Sequence, residues 1–223
     1  MNKLIQGDCL EVMKEMEDNS VDYVFTSPPY NRKRNDKYEQ YSDTLNDYYS
    51  SLIGWTDEML RVSINLVFIN IQKNYYQSSD VYRFIGNYHK EIKEIIIWEK
   101  SNPMPASGNS ITNAYEFIFV MSNKDIKLKS KTTYTKNHLT TSVNPDTDKR
   151  HKAIMNKAVS DWCLEKFIPK GCLVLDPFVG LGTTALSAIK NKCNFIGIEI
   201  SEEYCKIAQA RIGDIEITKY GDN

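Results

Sequence analysis

No stretch of the 223-residue sequence approaches the run of apolar residues that a bilayer crossing needs, which excludes a helical membrane protein. The opening residues, Met1-Asn2-Lys3-Leu4-Ile5-Gln6-Gly7-Asp8, lack the apolar core and small-residue cleavage site of a secretory signal, so a cytoplasmic location is expected. Cysteine is sparse: Cys9, Cys163, Cys172, Cys193 and Cys205 form an odd set with no CxxC spacing. That pattern argues against a disulfide framework or a zinc knuckle, and no metal is expected. Charge of either sign is also not in excess. With 28 Lys and Arg against 29 Asp and Glu, the net charge of −1 gives no global attraction to a polyanion. A nucleic-acid partner would have to be held locally, and two segments are locally basic: Arg32, Lys33, Arg34 and Lys37, then Lys124, Lys127, Lys129, Lys131 and Lys136. Internal repeats and low-complexity tracts are absent.

What is present is ordinary for a globular chain, at 41% hydrophobic and 26% charged residues, and the length fits one domain over residues 1–223. Short β-branched or aromatic runs recur at Val21 to Phe25, Ile64 to Ile71, Ile95 to Trp98, Tyr115 to Met121, Leu173 to Asp176 and Phe195 to Ile200. These read as strands buried on both faces. Apolar residues at helical spacing fill Leu45 to Val62, Tyr75 to His89, Ala153 to Phe167, Thr183 to Lys190 and Glu202 to Ile212. Alternation of the two predicts an α/β fold, doubly wound around a mainly parallel sheet. Residues 27–44, 100–113 and 122–150 break the alternation, and Thr218 to Asn223 read as a polar tail. In an open α/β sheet, ligands bind outside the carboxyl ends of the strands, so function is expected in such loops.

After the strand Leu173-Val174-Leu175-Asp176 comes Pro177-Phe178-Val179-Gly180-Leu181-Gly182-Thr183-Thr184-Ala185, a glycine turn opening a helix. The next strand ends in Gly197-Ile198-Glu199, followed by Ile200. This is the pattern of a mononucleotide-binding βαβ unit: Gly180 and Gly182 let backbone approach a ligand, and Glu199 is placed to accept from both ribose hydroxyls. Gly180, Gly182 and Ala185 also satisfy the GxGxxA spacing of dinucleotide sites, so on this motif alone an NAD-dependent oxidoreductase competes evenly. Two details favour S-adenosylmethionine. Asp176 suits the ammonium of a methionine moiety, whereas a pyrophosphate would be opposed by it, and Phe178 offers an aromatic face to a sulfonium.

The strand Val21 to Phe25 runs into Thr26-Ser27-Pro28-Pro29-Tyr30-Asn31. Two prolines at a strand end cannot serve a central ladder, so the chain must leave the sheet there in a stiff shape. An exocyclic amino group is a double donor; the Ser27 side chain and the Pro28 carbonyl are the acceptors such a turn offers, and Tyr30 can stack on a base.

Ser27-Pro28-Pro29-Tyr30 resembles the (D/N/S)PP(Y/F) catalytic motif of the amino-group DNA methyltransferases, and Asp176 to Thr184 resembles their DPFxGxGTT cofactor motif. The catalytic motif comes first, which is similar to the permuted β-class order, and the resemblance spans nearly the whole chain. It implies a Rossmann-like S-adenosylmethionine-dependent methyltransferase fold, in which Asp8 and Cys9 of Gly7-Asp8-Cys9 lie at the adenine end of the cofactor. Asp176, Pro177, Phe178, Gly180, Gly182, Thr183, Thr184, Glu199 and Ile200 complete the implied cofactor site. The family's HPxxKP-like segment is altered here to His151-Lys152-Ala153-Ile154-Met155-Asn156.

The reaction so implied is an in-line displacement in which the amino nitrogen attacks the cofactor's methyl group and a neutral thioether leaves, with positioning doing most of the work. In a duplex the target base must first be flipped out, with Tyr30 replacing lost stacking. Double-stranded DNA is then the expected partner, contacted by Asn31, Arg32, Lys33, Arg34 and His151 and by loops 31–44, 101–105 and 122–150, and a homodimer is expected. Serine at position 27 inclines the choice toward cytosine N4 over adenine N6. An RNA methyltransferase is the alternative on the same residues.

Overall fold

The structure is a computed structural model that describes residues 2–30, 47–106, 108–143 and 155–221. Its elements run β1 (Lys3–Gln6), α1 (Cys9–Lys14), β2 (Tyr23–Thr26), α2 (Tyr48–Val62), β3 (Val67–Ile71), α3 (Ser78–Asn87), β4 (Ile92–Lys100) and β5 (Tyr115–Met121). Then follow β6 (His138–Thr141), α4 (Lys157–Phe167), β7 (Leu173–Asp176), α5 (Thr183–Lys190), β8 (Asn194–Glu199), α6 (Glu202–Ile212) and β9 (Ile217–Lys219).

Among the described residues the strands form one nine-stranded sheet in the order β6-β4-β5-β3-β2-β7-β8-β1-β9. Every pairing is parallel except those of β5, which runs opposite to both β3 and β4. Two apolar clusters fill the two faces. Val24, Val67, Ile69 and Leu175 pack with Met13, Leu52, Trp55, Met59, Val81 and Phe84 from α1, α2 and α3. Phe25, Phe68, Ile118 and Val174 point the other way, onto Val159, Leu164, Ala185 and Ala208 from α4, α5 and α6. The central strands are therefore covered on both sides, which is why they are continuous apolar runs with no polar face. This is the doubly wound, Rossmann-like arrangement.

Three strands escape the sequence pattern. β1, β6 and β9 are three or four residues long, and in β1 and β6 only Leu4 and Leu139 are buried, so none carries a hydrophobic run. The tail reading of Thr218 to Asn223 is corrected as far as Tyr220: β9 pairs with β1, Leu4 opposite Ile217 and Ile5 opposite Thr218, and Tyr220 N donates to Gln6 O at 2.9 Å, while Asp222 and Asn223 lie outside the described residues. A Cβ on Gly7 would come within 2.8 Å of Tyr220 Cβ, so the glycine is what lets this closing strand lie close. The segment 122–150, read as a loop, contains β6, recruited by parallel pairing with β4.

The reversal at β5 decides which loops reach the ligand-binding edge. β5 ends with Met121 opposite Val67 and Ile92, at the amino ends of its two antiparallel neighbours. Residues 122 onward therefore start on the far edge of the sheet, and only beyond Thr141, which pairs with Lys100, does the chain return to the carboxyl edge. The connection 101–114 emerges at that edge directly.

Candidate active site

Two turns meet at the carboxyl edge because their parent strands, β2 and β7, are neighbours, with Val24 opposite Leu175. Thr26, at the end of β2, donates its hydroxyl to Asp176 Oδ1 at 2.6 Å, and both side chains are buried. Asp176 also accepts from Phe178 N at 3.0 Å. Burial holds the Asp176 carboxyl above its ordinary value, while the Thr184 and Thr26 hydroxyls pull it back. The side chain thus ties its own turn to the neighbouring strand. Thr183 and Thr184, also buried, open α5 beneath it.

The turn itself needs its glycines. Gly180 and Gly182 have φ of +51° and +82°, in the left-handed region that other residues avoid. A Cβ at Gly182 would press on Ile212 at 3.0 Å, whereas at Gly180 it would meet only the Phe178 carbonyl at 3.9 Å. Gly182 serves close packing against α6; Gly180 faces open space. Pro177 is buried, and Phe178 packs edge-to-face on Trp55 with ring centroids 4.8 Å apart. The phenyl ring is thereby fixed by the α2 side of the core.

Glu199 ends β8 beside this turn. Its Oε2 accepts from Gly180 N at 3.1 Å and its Oε1 from Ser201 N at 2.9 Å. Burial pushes its carboxyl up to about 7, opposed by these amide donors and reinforced by the nearby Asp176 charge. Ile200, next to it, is an exposed apolar side chain at the rim. Asp8 lies one strand further, where Gly7 N donates to Glu199 O at 3.0 Å. It caps α1, its Oδ1 accepting from Leu10 N at 2.8 Å and Glu11 N at 3.2 Å. Cys9 is buried with its thiol raised well above the usual range by that burial, so it is a neutral packing residue. A glycine turn open at Gly180, an acid at the next strand tip and a helix-capping acid beyond it form a set that fits an adenosine-bearing cofactor.

Leaving β2, Ser27, Pro28, Pro29 and Tyr30 turn over the carboxyl end of β3. Ser27 Oγ and Tyr30 Oη are 2.6 Å apart. Tyr30 Oη donates to Glu116 Oε2 at 3.0 Å and accepts from Asn70 Nδ2 at 2.7 Å. Asn70 Nδ2 also donates to Glu116 Oε2 at 2.7 Å, and Asn74 Nδ2 holds the Tyr30 carbonyl at 2.7 Å. Below them Lys100 Nζ lies 2.7 Å from Glu116 Oε1, both side chains under one tenth exposed. Sequence reasoning missed Asn70, Asn74, Lys100 and Glu116. A signal existed for two of them: Asn70 interrupts Val67-Phe68-Ile69-Asn70-Ile71 and Glu116 interrupts Tyr115-Glu116-Phe117-Ile118, polar groups inside buried strands that must find partners.

The predicted contacts Asn31, Arg32, Lys33, Arg34 and His151 lie outside the described residues. Of the second basic segment, Lys124 Nζ is bonded to Ser63 O and Ile64 O at 3.0 and 2.8 Å, and Lys131 Nζ to Leu164 O and Ile168 O at 3.2 and 2.6 Å. These two lysines of the locally basic segment bind the chain's own carbonyls. Exposed Tyr75, Tyr76, Met104 and Ile111 stand instead on the loops that leave β3 and β4 at the site's edge. All five cysteines are free, and among the described residues no group of three or more His, Cys, Asp or Glu is arranged to hold a metal. No described helix is long and apolar enough to cross a membrane.

The family model described as DNA methylase matches residues 21–210. The Type II methyltransferase M.MwoI of Methanothermobacter wolfeii is 32% identical over 96% of this chain, which spans only 35% of that relative's length. Among solved structures, PvuII DNA methyltransferase (cytosine-N4-specific) superimposes with a TM-score of 0.78 at 18% identity, covering 98% of this chain and 89% of its own. A complex of M1.HpyAVI with SAM gives 0.71 at 22% identity, covering 96% of this chain and 100% of its own. With both turns of the site inside the matched span, the chain belongs to the N6/N4 DNA methylase family.

Proposed function

We propose that this chain binds S-adenosylmethionine between Asp8, the Gly180 turn and Glu199, and that it methylates the exocyclic amino group of a DNA base held at Ser27-Pro28-Pro29-Tyr30. The observation that carries the reading is the Thr26–Asp176 hydrogen bond, which joins the two turns across adjacent strands. Family membership decides the contest that the glycine spacing left open, against the NAD-dependent oxidoreductase.

When bound, S-adenosylmethionine supplies an electrophilic methyl group on a sulfonium. Glu199, with Ile200 beside it, would hold the ribose hydroxyls, and Asp8 would stand at the adenine end. Asp176, already engaged by Thr26 and Phe178, would steer the methionine ammonium through its charge, and the fixed ring of Phe178 would offer an aromatic face to the sulfonium. Amino groups of bases are poor nucleophiles because their lone pair is delocalised into the ring. Acceptors at Ser27 and the Pro28 carbonyl hold both N–H bonds and turn that lone pair outward, so orientation matters more than a general base. Tyr30, locked by its hydroxyl and carbonyl, offers its ring to a flipped base. Cytosine N4 is the favoured target on the serine at position 27. Double-stranded DNA is the substrate, and a homodimer supplies contacts beyond this chain's short loops.

Transfer of labelled methyl from S-adenosylmethionine to unmethylated DNA, followed by nucleoside analysis, tests this, with Pro28→Ala as control. Label in N4-methylcytosine is the expected result; label in N6-methyladenine overturns the choice of base, and transfer to RNA in a parallel assay with none to DNA overturns the substrate. Elution as a monomer at micromolar concentration overturns the dimer.

A further inference from the structure

The hydrogen-bond chain under the catalytic turn has a direction, and its direction follows from one carboxylate. Glu116 is buried against Lys100 in an ion pair at 2.7 Å. A carboxylate accepts only. Its Oε2 receives Asn70 Nδ2 at 2.7 Å, and the 3.0 Å contact with Tyr30 Oη must use the single phenolic proton. Tyr30 Oη then has lone pairs left. One takes the second Asn70 N–H at 2.7 Å, and the 2.6 Å contact with Ser27 Oγ has to be donated by the serine. Among the described residues the other acceptor within reach of that hydroxyl, the main-chain carbonyl of Asn70, is farther away at 3.4 Å. Asn70 cannot be turned over, because its carbonyl oxygen would then face the carboxylate. Its Oδ1 is left buried with no partner, a cost that the protein bears in keeping both N–H groups on the chain.

We propose that Glu116, with Lys100 as its counter-ion, is a positioning residue that draws the hydroxyl protons of Tyr30 and Ser27 toward itself, so that Ser27 Oγ meets the target amino group with lone pairs only. The inference rests on the reading of Ser27 as an acceptor for that amino group. A serine free to rotate would present its own O–H to the amino hydrogens for part of the time, and such encounters are unproductive. The buried pair removes that option in advance, without touching the base.

The test uses the full chain and single-turnover methyl transfer to DNA, in four proteins: unsubstituted, Ser27→Ala, the paired neutral replacement Lys100→Gln with Glu116→Gln, and all three changes together. Exchanging both charges leaves neither ion buried alone. The paired replacement is expected to lower the rate about tenfold or more, with KM for DNA and Kd for S-adenosylmethionine little changed. In the Ser27→Ala background the same replacement is expected to cost almost nothing, since no hydroxyl remains to orient. Losses that multiply in the two backgrounds overturn the proposal and make Glu116 a structural residue. Should the paired replacement fail to bind cofactor, Tyr30→Phe, which removes one oxygen from the middle of the chain, replaces it with the same expected non-additivity and the same overturning result. Absence of transfer to DNA by the unsubstituted protein overturns the proposed function and this inference together; transfer with multiplying losses overturns this inference alone.

Discussion

Thr26 and Asp176 are 150 positions apart in the chain and 2.6 Å apart in the fold, hydroxyl to carboxylate, at the ends of adjacent parallel strands. Removing the donor leaves a buried acid with one partner fewer. Thr26→Val, which keeps the side-chain volume, is expected to cost ~1–3 kcal/mol of stability in urea unfolding. It should also weaken S-adenosylmethionine binding, because the turn after β7 loses its tether. Unchanged stability would mean that the carboxyl is protonated and indifferent to the loss.

Glu199 predicts a pH dependence with a defined sign. Its folded-state pKa is raised to about 7. The group therefore contributes stability that is fully present below its unfolded pKa and is lost as pH rises through about 7. Ribose hydroxyls are donors and prefer the ionised acid, so cofactor affinity should move the opposite way, strengthening through the same interval and levelling off above it. The rise in melting temperature on adding S-adenosylmethionine is expected to be larger at pH ~8 than at pH ~6, and Glu199→Gln should flatten it. An equal shift at both values in the unsubstituted protein contradicts the assignment.

The two glycines of the turn should separate stability from binding. Gly182→Ala places a methyl 3.0 Å from Ile212 Cδ1 at a φ of +82° and is expected to destabilise by ~1–2 kcal/mol or more. Gly180→Ala meets no close atom, so its methyl projects into the space proposed for the cofactor. It should lower affinity for S-adenosylmethionine by a larger factor than Gly182→Ala does, at a smaller cost in melting temperature.

Lys131 caps the end of α4 by its bonds to the Leu164 and Ile168 carbonyls. Lys131→Met is expected to cost ~0.5–1 kcal/mol, the worth of a cation at a helix carboxyl end. The salt dependence of DNA binding should stay as it was, because that lysine neutralises no phosphate. A shallower slope would return it to the DNA interface.

The parts of this fold that read directly from sequence are those whose signal is local. Val21 to Phe25 and Leu173 to Asp176 are apolar runs that end in Pro-Pro and in a glycine turn, and both the strands and the turns are where those residues put them. β1, β6 and β9 did not read, because a strand of three or four residues with at most one buried side chain owes its existence to its neighbour's open edge. The site divides the same way. Ser27, Tyr30, Asp176 and Glu199 sit in motifs, whereas Lys100 and Glu116 lie on different strands and become partners only through the register that sets Trp98 opposite Glu116. A single acid in an apolar strand announces that it needs a partner without saying which.

The antiparallel pairing of β4 with β5 bears on how a protein of this design can change its target. Lys100 N donates to Ala114 O at 2.8 Å, so the excursion between them leaves and re-enters the ladder at one rung. Lengthening a flexible loop whose ends are already clamped costs little, since closure entropy grows only with the logarithm of length. Insertions at residues 101–114 can therefore be tried by mutation at the mouth of the site while the chemistry beneath keeps its register. The fold separates what must be inherited unchanged from what is free to diversify.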